Sequence, residues 1–442
     1  MRHSARRFLP LAVALTTMAG LTHSAAAQPA NHNAPHGGAL MPKLQVTVGP
    51  AEADFIGSDH LALQGAVDYV AARGGGTVRI LPGVYLMGNS LFLREGVRIV
   101  GSGDETVLRK CDAATTPLTD NVDWYEEFVP VADASIFRLG GGIWIEGKSP
   151  FYQGRNQIAK RTVIAIEGNR VYLDKAVRDD YWLDPGATAS TAFPVVTAEY
   201  VNDATVESLA IDGNRANNPH LDDNYTAAVF IQDCDRIVLR DLTIREYNSD
   251  GISAQICDDL TVDNCRISDC TDLGIHPGSG CQRPAMTNNT VKRCAQGIFF
   301  CWGVRYGLAE GNIIEDCSLY GISIGHRDTD NVVRNNTVRR SGRNGLLFRT
   351  DHGPGRAPDR CVIENNTFEN SGTEEGDWVA MDITGTVADL VIRGNRFTDT
   401  RPASPDHPRI GIRIAAGVVR PVLEGNTFEH FEREVVDLRQ AQ

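Results

Sequence analysis

His276, His326, Arg349, Asp250 and Asp272 are the residues of this 442-residue chain best suited to acid–base work. Histidine titrates near neutral pH and can act as a general base. Arginine holds a carboxylate through two parallel hydrogen bonds and neutralises it. Together these groups could remove a proton from a carbon next to a carboxylate. Asp250 and Asp272 offer a second chemistry, because two carboxylates at a set separation hydrolyse a glycosidic bond. Trp302 would supply a flat platform for a sugar ring. It belongs to Phe299-Phe300-Cys301-Trp302, an aromatic run in a chain that is only 7% aromatic. Arg327, Gln255, Tyr306 and Asp382 complete the candidate binding set, and Tyr306 could also donate a proton. Asp351 and His352 stand at another strand end. A Ca²⁺ could replace an arginine by using Asp328 and Asp330; otherwise no cofactor is expected. His276, Cys301 and His326 share one side and would suit copper in an accessory role. Zinc is not implied, since no Cys-x-x-Cys pair occurs among the ten cysteines.

These residues gain meaning from a repeat. Ala228-Val229-Phe230-Ile231 recurs from Gly251, Gly274, Gly297, Gly321 and Gly345, at intervals of 23, 23, 23, 24 and 24 residues. Looser copies start at Ala380 and Gly411. Short β-branched alternation broken by Gly, Asn and Asp argues for strands and turns, not helices. Units that cannot bury an apolar face alone must stack, giving a parallel solenoid with turns about 4.8 Å apart. Residues one and three places after the glycine should point inward, as Ile252, Ala254, Ile298 and Phe300 do. Those two and four places after it should face solvent. One outward column is then Ser253, His276, Phe299, Ser323, Leu347, Asp382 and Arg413; the next includes Gln255, Gly278, Cys301, Gly325 and Arg349. Asn289, Asn312, Asn336, Asn366, Asn395 and Asn426 should form a structural ladder. Cys234, Cys257 and Cys281 form one further column and Cys270, Cys294 and Cys317 another, stacked as small hydrophobes and close enough for a disulfide.

The rest of the chain frames that stack. Residues 1–27 read as a signal peptide, with Arg2, Arg6 and Arg7 before an apolar run and Ala25-Ala26-Ala27 for cleavage. Losing those three arginines takes the formal charge from −13 to −16. Residues 28–42 read as a flexible leader, 43–112 as a cap and first coils, 113–203 as a β-rich insertion and 204–442 as the repeats. Ser58 to Arg73 is an amphipathic helix candidate that would cover the open end of the core. The acidic total argues against general nucleic-acid binding, and no later segment could span a membrane. The partner expected is a polysaccharide; oligomeric state is not legible.

The segment "DHLALQGAVDYVAARGGGTVRILPGVYLMGNSLFLREGVRIVGSG" resembles the amino-terminal cap and first coils of the pectate-lyase-like superfamily. The later repeats resemble its right-handed parallel β-helix. The resemblance implies an all-β, single-stranded right-handed parallel β-helix with an N-terminal capping helix and a small β insertion. Asn248-Ser249-Asp250-Gly251 is similar to the first element of the polygalacturonase pattern. Asp272 keeps one of that family's paired Asp residues and Leu273 replaces the other. Tyr320 stands at the family His, and Leu347 and Arg349 at its Arg and Lys. Asp212-Gly213-Asn214-Arg215 resembles a segment of the mannuronan epimerases. Leu273-Gly274-Ile275-His276-Pro277-Gly278 lines up with their catalytic run, with His276 at the Asp position. The expectation is a secreted or periplasmic enzyme acting on an acidic, uronate-containing polysaccharide by lyase or epimerase chemistry. The alternatives are a polygalacturonase-like glycoside hydrolase and a non-catalytic carbohydrate-binding solenoid.

Overall fold

The computed structural model describes residues 44–441 except 150–155, 185, 223–224, 351–352, 354 and 403–405. The signal and leader segments lie outside it, as do Asp351 and His352. Each repeat folds into one coil with three short strands. Successive coils pair in parallel, so the strands that open on the repeat glycine form an 11-stranded sheet from Leu91–Phe92 to Arg433–Asp437. The other two strands of each coil belong to a 22-stranded sheet that wraps the remaining sides. The inward column Ile252, Ile275, Ile298, Ile322, Leu346, Met381 and Ile412 is buried in one continuous core. Phe397 stacks between Phe368 and Phe428 at centroid distances of 5.1 and 5.0 Å.

Polar ladders fix the coil spacing. The Oδ1 of Asn312 accepts from the backbone N–H of Asn289 at 2.9 Å and from its Nδ2 at 3.0 Å. The Nδ2 of Asn312 donates to the Met286 carbonyl and to Asn336 Oδ1 at 2.9 and 2.8 Å. The pattern repeats through Asn336, Asn366, Asn395 and Asn426. Buried turn backbones that cannot reach water need such partners. A second ladder alternates charge at left-handed turn residues: Asp203 with Arg236, Asp259 with Arg283, Asp330 with Arg360, and Asp389 with Arg420. Many arginines thus brace turns and do not face a groove. All ten cysteines are unbridged; nine are buried, and the two columns pack as apolar side chains.

The cap helix spans His60–Ala71, started by Asp59, whose side chain accepts from the Ala62 N–H at 3.0 Å. Leu63, Ala66, Val67 and Val70 seal the end of the core, the larger ones contributing about 1.5–3 kcal/mol each. No described helix is long and apolar enough to cross a membrane. The insertion is a six-stranded antiparallel sheet between Thr115–Pro117 and Thr188–Ser190. It has its own core, including Val129, Ile145, Val163 and Tyr181. The solenoid resumes at Val196–Glu199, which pairs in parallel with Leu91–Phe92 and Ala227–Gln232.

Candidate active site

Strand register sets the outward column. Thr197 lies beside Phe230, Phe230 beside Ser253, and Ser253 beside His276. Farther along, Phe299 lies beside Ser323, then Leu347, Asp382 and Arg413. Asp250, at the start of the preceding strand, reaches across to His276, whose Nδ1 donates to its Oδ2 at 2.7 Å. The Oδ1 of Asp250 accepts from the Leu273 N–H at 2.9 Å. Ser253 Oγ lies 3.4 Å from His276 Nδ1 and accepts from Gln255 Nε2 at 3.2 Å. Gln255 Oε1 in turn accepts from the Ser279 N–H at 2.8 Å. A Cβ at Gly278 would collide with the Gln255 amide, so glycine there makes room for it. The carboxylate fixes the imidazole's tautomer and orientation. The column does not face solvent as the alternation suggested: His276 is only 2% exposed, and Ser253, Gln255, Ser323 and Asp382 are buried with it, because these side chains cover one another.

Phe299 links this pair to Arg349. Its ring meets His276 edge-on at 5.3 Å, and the Arg349 guanidinium carbon lies 4.0 Å from its centroid. Arg349 donates to Ser323 Oγ at 2.7 Å, to the Phe300 carbonyl at 2.6 Å and to Asp328 Oδ2 at 3.3 Å. Gly325 leaves the space its guanidinium occupies. Asp328 also accepts from the N–H groups of Gly303, Val304 and Gly325. Burial pushes its pKa up to about 6, against the opposing pull of Arg349 and those N–H groups.

The other expected residues are dispersed. Asp272 aligns with Ser249 through their backbones, not with Asp250, and its carboxylate takes His220 Nε2 at 2.8 Å. The two carboxylates of the hydrolase alternative are thus committed to different histidines. Trp302 and His326 sit on the turn beyond the strands, their rings 4.2 Å apart. Arg327 is exposed on that turn, and Tyr306 occupies the charged turn ladder with its ring exposed, away from His276. Asp382 is held by Arg413 through two bonds, at 2.9 and 2.6 Å. Asp328 and Asp330, the carboxylates a Ca²⁺ would use, take separate partners, Arg349 and Arg360. Among the described residues no group of three His, Cys, Asp or Glu gathers as metal ligands. His276, Cys301 and His326 therefore do not form the copper site their sequence columns suggested.

The family model "right handed beta helix region" matches residues 197–338. The fold is a right-handed parallel β-helix. A second model, "periplasmic copper-binding protein (NosD)", matches residues 280–434. The A-module of the Azotobacter vinelandii mannuronan C-5 epimerase AlgE4 superposes with a TM-score of 0.52 at 15% identity. That match covers 88% of this chain and 97% of the module. The alginate lyase from Paenibacillus sp. str. FPU-7 superposes with a TM-score of 0.50 at 11% identity, over 86% and 99% of the two chains. A capsule K1-specific depolymerase of Klebsiella phage K64-1 is 22% identical over 253 residues, 53% of this chain. The chain spans about a quarter of that relative's length, 27%. At these identities the structural likenesses establish the β-helix and not its chemistry.

Several features of this β-helix site escaped sequence reasoning. Lys160, on the insertion strand Asn156–Glu167, places Nζ 3.7 Å from the Phe230 centroid and 3.7 Å from Glu199 Oε1. Nothing in the repeat period could pair a residue of the insertion with a coil. His220 also lies outside the repeat, in the segment that follows the Asp-Gly-Asn-Arg motif. That motif is structural here: Asn214 donates to the Lys110 carbonyl and Asp112, and Arg215 to the Asp269 carbonyl. One signal was available, since Gly278 and Gly325 in the outward grid mark where Gln255 and Arg349 fold across.

Proposed function

We propose that this chain is an exported enzyme, periplasmic or secreted, that acts on a uronate-containing polysaccharide by lyase or epimerase chemistry. The observation that carries the reading is the 2.7 Å bond between Asp250 and His276, in the column that also presents Phe299 and the Arg349 guanidinium. In this reading His276 Nε2 takes the proton from the uronate carbon next to the carboxylate. The electron pair moves onto the carboxylate, whose growing charge Arg349 offsets. In a lyase the C–O bond on the adjacent carbon then breaks, a double bond forms, and the proton on Nε2 passes to the departing oxygen. In an epimerase the carbon takes a proton from solvent on its opposite side, and Nε2 returns its own proton to solvent. Phe299, half-buried and touching both His276 and Arg349, is the cover a substrate must displace. Two of the similar proteins are named for uronate polymers, an epimerase of mannuronan and an alginate lyase, and a third is named a capsule depolymerase.

The test is a panel of uronate-containing and neutral polysaccharides, followed by unsaturated-uronate absorbance, reducing ends and C5 configuration. Native protein should yield unsaturated or epimerised product, and His276→Ala and Arg349→Ala should abolish it. Both variants retaining full turnover would remove the site assignment; reducing ends without unsaturation would favour hydrolysis. The near-complete burial of His276 favours a second reading, a β-helix that binds saccharide without turnover. Binding across the panel with no product of any kind would select it.

A further inference from the structure

The insertion and the first coils enclose a cleft of about 570 Å³. Its walls carry Arg94, Lys160, Arg161, Lys175 and Arg178 against the acids Asp174 and Glu199. This excess of cations stands out in a chain of formal charge −13. Lys175 and Arg178 are exposed, the latter with its guanidinium carbon 5.0 Å from the Tyr125 centroid, whereas Arg161 is pinned by the carbonyls of Lys160, Lys175 and Ala176. Phe92, Thr197 and Tyr200 add apolar and hydroxyl surface. Such a lining suits a sugar bearing a carboxylate: rings for its apolar side, donors for its hydroxyls, cations for its charge.

The cleft is continuous with the outward column. Thr197 is three strands from His276, about 14 Å at the usual strand spacing. Along the neighbouring turn, Tyr200, Ile256 and Trp302 are 77%, 55% and 56% exposed. All three adopt the left-handed conformation, at φ 57°, 53° and 62°, uncommon for non-glycine residues and strained for a β-branched one such as Ile256. Backbone bonds from Tyr200 to Gln232, from Asp233 to Gln255 and from Ile256 to Ser279 show that these turns follow one another coil by coil. They form a ledge leading from the cleft past the His276 strand, with Asp233 between Tyr200 and Ile256 and Gly280 between Ile256 and Trp302.

We propose that the cleft is an anionic-saccharide subsite, in which Lys160, Lys175 and Arg178 hold uronate carboxylates of a chain laid along the Tyr200–Ile256–Trp302 ledge toward His276. The subsite deepens the uronate reading and rests on it for the class of ligand. Lys160 is suited to this part: burial lowers its pKa to about 8 while Glu199 opposes the shift, and an added carboxylate would favour its charged form further.

Titration calorimetry with 1,4-linked uronate oligosaccharides and their carboxyl-reduced counterparts tests the subsite without needing turnover. Native protein should bind the uronates with an affinity that falls as salt rises, and the reduced forms at least tenfold more weakly. Lys175→Ala/Arg178→Ala, on exposed residues, should weaken uronate binding at least tenfold. Arg433→Ala, exposed on the last strand of the site sheet, should change it less than twofold. Equal binding by the double variant, equal binding of the reduced sugars, or no uronate binding would overturn the subsite. Failure of the catalytic reading has a different signature: uronates bound through Lys175 and Arg178, yet never converted. Conversion abolished by His276→Ala but indifferent to the rim variants would discard the subsite alone.

Discussion

Asp250→Asn keeps the shape of the side chain and reverses one hydrogen bond. In the native site His276 Nδ1 donates to Oδ2 at 2.7 Å while Oδ1 accepts from the Leu273 N–H at 2.9 Å. An asparagine that keeps its oxygen on Leu273 must turn its NH₂ toward Nδ1. The imidazole then accepts at Nδ1 and carries its proton on Nε2, the atom that has to be basic. A charge-assisted bond of about 1.5–3 kcal/mol becomes a neutral one of about 1 kcal/mol, so stability should fall by about 0.5–2 kcal/mol. Asp250→Ala is harsher, because it leaves two buried groups without that acceptor at about 1–3 kcal/mol each, a loss of about 2–6 kcal/mol. Urea unfolding should rank native, Asn and Ala in that order. Nitrogen-15 spectra of histidine-labelled protein should show His276 switching tautomer in Asp250→Asn, a readout that needs no substrate. Conversion of any uronate polymer that native protein turns over should fall on the order of 10³-fold or more, as expected of an imidazole locked in the wrong tautomer. An Asp250→Asn protein that keeps Nδ1 protonated, or stays within tenfold of native turnover, refutes the assignment.

Three further outcomes follow from the same geometry. Asn312→Ala removes the acceptor of the Asn289 N–H and the donor to the Met286 carbonyl. It should cost about 2–6 kcal/mol in urea unfolding, and a loss below about 1 kcal/mol would mean the ladder is incidental. Asp328 has a folded pKa of about 6 against an ordinary 3.8. Its folded state therefore binds the proton more tightly, and the stability this gives, full below about pH 4, is lost as pH rises through 6. That loss is roughly 3 kcal/mol; Asp328→Asn should flatten the stability–pH curve between pH 4 and 6, and an unchanged slope would contradict it. Thiol titration in denaturant without reductant should count ten free cysteines, and any smaller number would reveal a bridge between coils.

The repeat made much of this molecule legible from its residues. A period of 23 or 24 residues with alternating polarity allows one arrangement of core and surface, so the outward column containing Ser253, His276 and Phe299 could be written down before any coordinate. The asparagine ladder was equally accessible, because a buried amide at every coil has few uses other than satisfying turn backbones. Residue type alone could not say which outward side chains would be engaged. Asp250 and Asp272 read as a matched pair, yet a one-residue offset in register sends one to His276 and the other to His220. His326 and Trp302 read as groove residues, yet the chain turns before them and stacks their rings at the corner.

The sequence by itself determined the stack, its inside and its outside, because strand alternation and coil spacing are local properties that each repeat carries in full. The tertiary structure decided the site. It folded Arg349 across Gly325 onto Phe299, closed His276 from solvent, and set Lys160 over Phe230 to frame a basic cleft. Those contacts join residues from different coils, or from the insertion and the solenoid, and depend on how long side chains share limited space. A repeat period carries no such information, since it describes each coil relative to the next and is silent on what lies across them.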